Sequence, residues 1–336
     1  KSIKAEGGLT IAQAPETAAY ADMPRSAIAT KDVDFILPPE QMGELILKVV
    51  HHQVLTGFEA TEKDVPIPTG GLQKLYFLLH AKTGHDFSLY KQSTLHRRIE
   101  RRMKITLTKN LDDYIDFLQD HPEEIQALFR EMLINVTNFF RDPEAFRVLN
   151  EKVIHPLISV KQATNTPLRV WVAGCSTGEE AYSIAIAIQE QMEAMKTDCN
   201  VQIFATDIDE DAILAARAGI YSAGITADVS TERLQRFFTQ EDQTYQIKKI
   251  IRDRVVFATQ NVITDPPFSK IDLLSCRNLL IYLEPALQSQ LFPVFYQALN
   301  PEGVLYLGNS ESIGVFSNLF AALDRKHKLF RRREGV

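Results

Sequence analysis

Apolar residues recur at three- and four-residue intervals through the first half of the chain and in short unbroken runs through the second. Leu72, Leu75, Tyr76 and Leu79 stand at i, i+3, i+4 and i+7. Ile99, Met103 and Ile105 continue an apolar face in a second helix, Leu111, Tyr114, Ile115 and Leu118 mark a third, and Ile125, Leu128, Phe129 and Leu133 a fourth. That periodicity predicts a small helical domain over 71–142. After Pro167 the pattern changes. Runs at 168–173 and 201–206 read as strands, separated by an amphipathic helix over 179–195 and followed by a helix over 209–218. Further strands are predicted near 254–258, 271–275 and 303–308, with a helix over 285–299 between the last two. Strands alternating with helices imply βαβ units, a parallel sheet and right-handed crossovers, hence an α/β domain over 143–336. Between 219 and 254 the pattern is less regular. A short helix at 230–238 and an antiparallel excursion near 244–252 predict a small subdomain there.

Residues 1–57 read as a strand at 9–13, a loop holding Pro15 and Pro24, and a helix over 40–55 opened by Pro38-Pro39, since proline suits a first helical turn. A stretch without periodicity follows, with Pro66, Pro68, Gly70 and Gly71, and reads as a linker over 58–70. The chain has 336 residues, so about two domains are expected from length alone. With 45% hydrophobic and 24% charged residues it is neither disordered, collagen-like nor a coiled-coil rod. No apolar run is long enough for a membrane span, and no signal peptide opens the chain. The net charge of −6 argues against a general nucleic-acid binder. Cys175, Cys199 and Cys276 share no CxxC spacing, which points to a reducing cytoplasm rather than to a disulfide framework or a zinc site. The first residue is Lys1, so a longer parent chain is expected.

Four constellations carry candidate chemistry. In Val170-Trp171-Val172-Ala173-Gly174-Cys175-Ser176-Thr177-Gly178-Glu179-Glu180 a strand runs into a glycine-bearing turn and a helix N-terminus. Such a turn lets a ligand approach the backbone closely, although a plain βα turn has the same look. The two glutamates disfavour a phosphate and suit a cationic or hydroxyl-bearing ligand. In Phe204-Ala205-Thr206-Asp207-Ile208-Asp209 an acid ends the second strand, where a carboxylate can accept from two ribose hydroxyls. Its alternative role, a helix N-cap, falls more naturally to Asp209. Together the two elements favour an adenosyl ligand. Asn135-Val136-Thr137-Asn138-Phe139-Phe140-Arg141-Asp142 sits where the helical region ends, and its alternative is a helix C-terminus with Arg141 against the dipole. Cys276-Arg277-Asn278-Leu279-Leu280-Ile281-Tyr282 follows a strand, at the end of a sheet where ligands bind. On its own it reads as a structural ion pair.

NVTNFFRD, GCSTGEEAYS, ATDID, CRNLLIYL and LYLGNSES, in that order, resemble the chemotaxis receptor methyltransferase (CheR) family over about residues 71–331. The resemblance implies a Rossmann-like fold binding S-adenosyl-L-methionine (SAM), an N-terminal helical domain, a small β-subdomain, and methyl-ester formation on receptor glutamates, with S-adenosyl-L-homocysteine as product. It implies cofactor contacts from Asn135, Thr137, Arg141, Glu180, Asp207, Asn261, Val262, Arg277 and Asn278, with Val262 in place of a more usual Leu. Arg141 also reaches the reaction centre, and Tyr282 matches the active-site tyrosine. No metal is implied. The stretch GGLTIAQAPETAAYADMPRSAIATKDVDFILPPEQM resembles the C-terminal end of the chemotaxis methylesterase (CheB) domain, so a methylesterase–methyltransferase fusion is expected, without esterase activity in this chain.

On that reading the partners are the cytoplasmic helices of chemoreceptors. Arg97, Arg98, Arg101 and Arg102 form two i, i+4 rows on one helix and are read as a basic face docking an acidic receptor helix, the alternative being a solvated face. Residues 1–57 hold no residue assigned to chemistry and are expected to be dispensable for methyl transfer. Two rivals stand beside this reading. A non-catalytic SAM-binding sensor would lack the need for both Arg141 and Tyr282. A nucleic-acid amino-methyltransferase is prompted by Asp265-Pro266-Pro267-Phe268, but that motif precedes the strand it should end.

Overall fold

The computed structural model describes residues 2–5, 7–30, 32–56 and 69–335 and divides into two compact units, Lys1–Val136 and Thr137–Val336. The linker expected over 58–70 lies almost wholly outside the described residues, and Gly70 and Gly71 belong instead to the helix Thr69–Thr83.

In the first unit, β1 (Ile11–Gln13) pairs in parallel with β2 (Phe35–Leu37). Where a loop was expected around Pro24, the chain forms the helix Asp22–Ala29 with the proline in its first turn, where it breaks no hydrogen bond. The helix Pro39–Thr56 follows, close to expectation. Four helices complete the unit: Thr69–Thr83, Gln92–Thr106, Leu111–Asp120 and Pro122–Met132. Their apolar stripes meet in a core of Leu75, Leu79, Leu95, Ile99, Tyr114, Leu118 and Leu128, all nearly inaccessible. Asn110 caps the third of these helices by accepting from Asp113 N at 2.9 Å.

The basic rows on Gln92–Thr106 do not form a solvent face. Arg101 is 0% exposed and Arg98 6%. Arg101 donates from Nε to Gly8 O at 2.9 Å and through its two terminal nitrogens to Asp34 and Glu131. Arg98 donates to Glu131 O at 3.0 Å, and Arg102 meets Glu124 in a two-pronged pair. Of the four arginines read as docking residues, only Arg97 is exposed. Arg101 lies on the side of the helix away from Ile99 and Met103, and it is buried because Gly8, Asp34 and Glu131 cover it there. Because Asp34 and Gly8 belong to the first segment, that segment is also not an independent appendage. It closes a buried ionic cluster of the helical domain.

The second unit is built on a seven-stranded sheet. Its strands are β3 (Leu168–Ala173), β4 (Val201–Asp207), β8 (Val255–Thr259), β9 (Ile271–Cys276), β10 (Leu299–Leu307), β11 (Phe320–Asp324) and β12 (Leu329–Arg332). Their order is β11-β12-β10-β9-β3-β4-β8, parallel from β10 to β8, with β11 and β12 antiparallel. The five parallel strands lie close to the predicted positions. The β11–β12 hairpin was not foreseen. Three shorter strands, β5 (Ile220–Ser222), β6 (Phe238–Glu241) and β7 (Thr244–Ile247), form a separate antiparallel sheet, which with the helix Thr231–Phe237 makes the expected subdomain. Helix Glu179–Ala194 packs eleven buried side chains beneath the parallel strands, including Tyr182, Ile184, Ile186 and Ile188. A sheet with β3 central and helices on its faces leaves one crevice, where β3 leads to β4 on one side and has β9 on the other.

Candidate functional site

The carboxyl ends of β3, β4, β8, β9 and β10 converge at that crevice. After β3 the chain turns at Gly174, and Gly174 N and Cys175 N donate to Thr206 O at 2.8 and 2.9 Å, tying the turn to β4. Gly178 has φ +93°, and a Cβ there would lie 2.9 Å from Ala216 Cβ, so only glycine fits. Ser176 N donates to Asp207 Oδ2 at 2.7 Å and Asp209 N to Oδ1 at 3.0 Å. Asp209 caps the following helix by accepting from Ala212 N at 3.0 Å. Burial pushes the Asp207 carboxyl above its usual range, against the opposing bonds from Asp209 and Ser176. The amides of Ser176, Asp209 and Ile208 all bear on this carboxylate. Gln260 N donates to Asp207 O at 2.9 Å, which sets Asn261 and Val262 beside it at the end of β8. Asn261 is itself locked by Asp265 Oδ2, which accepts from its N at 2.8 Å. Phe268 stacks on Phe204 at 4.5 Å, while Asp265, Pro266 and Pro267 of the same stretch stay exposed.

Arg277 is the hub of the β9 end. Its Nη1 donates to Glu180 Oε2 at 3.1 Å, and its Nη2 to Asp142 Oδ2 at 2.7 Å and Arg141 O at 3.1 Å. The guanidinium also lies 4.6 Å over the Tyr306 ring. Glu180 Oε1 accepts from Ser275 Oγ at 2.7 Å. Burial lowers the Arg277 pKa, but Glu180 and Asp142 more than reverse this and hold the cation charged. The ion pair that the sequence alone favoured for Cys276–Tyr282 therefore exists, and it joins this segment to two of the other motifs. Phe139 and Phe140 explain how NVTNFFRD is anchored: Phe139 packs edge-on to Tyr221 at 4.9 Å, and Phe140 N donates to Ser183 Oγ at 2.9 Å.

Of the expected cofactor and active-site residues, all but Asn135 lie in the second unit: Asp207 ends β4, Asn261 and Val262 follow β8, Arg277, Asn278 and Tyr282 follow β9, Glu180 stands in the first turn of the helix after the glycine turn, and Thr137 and Arg141 precede the helix Pro143–Leu149. Asn135 lies in the first unit, where it lines a cavity of about 310 Å³ with Lys4, Arg98, Arg102 and Arg130. Sequence reasoning missed Asp142, Ser275, Tyr306 and Glu311. Asp142, Tyr306 and Glu311 sat inside quoted motifs but carried no distinguishing signal. Cys175 and Cys276 are buried, and burial pushes both thiols well above their usual range, as expected of packing residues. No helix among the described residues is long and apolar enough to cross a membrane.

Comparison with known proteins matches residues 135–329 to "CheR methyltransferase, SAM binding domain", residues 71–133 to "CheR methyltransferase, all-alpha domain" and residues 1–46, at the N-terminal end of this chain, to "CheB methylesterase". The "104.1 kDa protein in hypE 3'region" of Rhodobacter capsulatus is 37% identical over 98% of this chain, and the chain spans only 37% of that protein's length. The chemotaxis protein methyltransferase of Borreliella burgdorferi is 32% identical over 76% of this chain and 93% of its own. Chemotaxis protein methyltransferase 2 of Vibrio cholerae is 32% identical over 76% of this chain and 88% of its own.

Proposed function

Because the chain belongs to the CheR methyltransferase family, we propose that it transfers the methyl group of SAM to glutamate carboxylates on the cytoplasmic helices of chemoreceptors, working in the cytoplasm. The observation that carries this reading is the meeting of the Gly174–Gly178 turn, Asp207 and the Arg277–Asn278 segment at one switch point of the sheet. The residues present fit the cofactor. Asp207 offers a carboxylate at the end of β4 for the ribose hydroxyls, and Asn278 Oδ1 is buried with no hydrogen-bond partner.

When bound, SAM supplies a methyl group on a positively charged sulfur. A receptor glutamate with a pKa of about 4.3 is ionised at neutral pH, so this chain need not provide a general base. Its task is positioning, which supplies roughly 7–11 kcal/mol in well-oriented cases. Arg141 is assigned to balance the acceptor's negative charge against the cofactor's own carboxylate. Two like charges at 4 Å repel by about 4 kcal/mol at an effective dielectric of 20. Tyr282 closes a single helical turn, Leu280–Tyr282, and is assigned to orient the acceptor. Glu180, neutralised by Arg277 and fixed by Ser275, holds the floor between the β3 and β9 ends.

Calorimetric titration with SAM tests the assignment. The wild-type chain should bind SAM, and Asp207→Ala should weaken binding at least ~10-fold, since a hydrogen bond to a charged acceptor contributes about 1.5–3 kcal/mol. Equal affinity in the variant would remove Asp207 from the cofactor site.

A further inference from the structure

Glu311 is 4% exposed, and main-chain amides hold its carboxylate. Its Oε2 accepts from Gly308 N at 2.6 Å and Asn278 N at 3.0 Å, and its Oε1 from Ile281 N at 3.3 Å. Gly308 follows the last residue of β10 and Asn278 lies two residues past β9, so one carboxylate ties the ends of two adjacent parallel strands. Burial pushes this carboxyl up, while the amides of Gly308, Asn278, Ile281 and Leu280 oppose the shift. Amide bonds to an ionised acceptor are roughly twice as strong as neutral ones.

The clamp holds a strained loop. Asn278 has φ +59°, in the left-handed region that non-glycine residues seldom occupy. A Cβ on Gly308 would stand 2.8 Å from Glu311 Oε2 and 2.9 Å from both Asn278 N and Nδ2, so the close approach demands glycine. A residue kept in such a conformation persists only where its surroundings over-determine it. The loop so held carries Arg277, Asn278 and Tyr282 in six residues.

We propose that Glu311 is a positioning residue for methyl transfer, its carboxylate holding the loop that presents Asn278 to the cofactor and Tyr282 to the acceptor. This rests on the SAM reading above. Gly308 is the second half of the device, since it alone lets the carboxylate and the Asn278 amide come together.

The test pairs Glu311→Gln with Gly308→Ala. Glutamine keeps the shape and one acceptor oxygen but turns an NH2 group toward a backbone N–H. At saturating SAM and receptor fragment, kcat per folded molecule should fall at least ~10-fold in each variant, as expected for losing a hydrogen bond to a charged group. The KM for receptor should change little. A merely structural role would lower the melting temperature and leave kcat of the folded fraction unchanged, and that result overturns the proposal. Amide hydrogen exchange on the wild-type chain without SAM needs no variant to fold. Asn278 and Ile281 should exchange slowly, and rapid exchange at both would equally overturn the clamp. A wild-type chain without SAM affinity would instead be a failure of the SAM reading, visible separately in the same calorimetry.

Discussion

Two buried arginines, one in each unit, show what separates a structural ion cluster from a working one. The side chains of Arg101 and Arg277 are both 0% exposed and each faces two carboxylates. Arg101 itself has no nitrogen left over: all three donate, and its acids have second cations, Lys4 at 3.1 Å from Asp34 and Arg98 at 3.6 Å from Glu131. Around Arg277 the network stays open. Its Nε, Asn278 Oδ1 and Tyr306 Oη are buried without hydrogen-bond partners, and Asp142, one of its acids, keeps a side chain 33% exposed. Buried polar groups are nearly always satisfied, which sets Asn278 Oδ1 and Tyr306 Oη apart from the nitrogens of Arg101. The first arrangement is that of a structural cluster, and the second is the one assigned above to the cofactor site.

The largest effect should come from opening the second cluster. Arg277→Met leaves Glu180 and Asp142 facing each other without their cation, and removing one member of a buried pair costs about 3–5 kcal/mol. Both the unfolding midpoint in urea and the affinity for SAM should drop. Arg101→Met should cost stability on a similar scale while the folded fraction keeps its SAM affinity, so the same two measurements separate the two clusters. Removing residues 1–46 should destabilise the helical domain in the same way, because Gly8 O and Asp34 go with them.

A smaller effect follows from pH. The Asp207 carboxyl is raised by burial, so it takes up a proton at a higher pH than an ordinary aspartate. SAM should bind the ionised form, so affinity should decline as pH falls through that raised value, and Asp207→Asn should flatten this decline. Asp34 behaves oppositely: despite the penalty of burial, its bonds to Arg101 and Thr10 hold it below the usual range. Its contribution to stability is present above the unfolded carboxyl's pKa and is lost only as pH falls through the lowered one. SAM binding should therefore fade at a higher pH than the first unit loosens. The smallest effect concerns exposed Arg97. Arg97→Ala should raise the KM for receptor about 2- to 3-fold at low salt, a gap that closes as the Debye length shortens from ~10 Å at 0.1 M.

Much of the fold was legible because the five parallel strands are rich in short apolar stretches and the four helices carry clear stripes. The β11–β12 hairpin was not, since Asp324-Arg325-Lys326-His327-Lys328 and the arginines of Leu329–Arg332 mask its short apolar stretches. The strand-end acid and the glycine turn were readable because a turn and a carboxylate are local features. Arginine burial was not. An i, i+4 row of arginines looks the same whether it meets water or acids, and the partners of Arg101 lie 30 and 67 residues away. Glu311 was illegible for the same reason, being 33 residues from the amide of Asn278 that it holds.

The most direct test of the account is the chemical form of the transferred methyl group. The chain would be incubated with tritium-labelled SAM and an isolated receptor helix fragment, and the product treated with mild alkali. The account expects label on the fragment that alkali releases as methanol, as a glutamate methyl ester must, and none when the acceptor glutamates are replaced by alanine. Label that survives alkali, or no label from a chain that binds SAM, would contradict it.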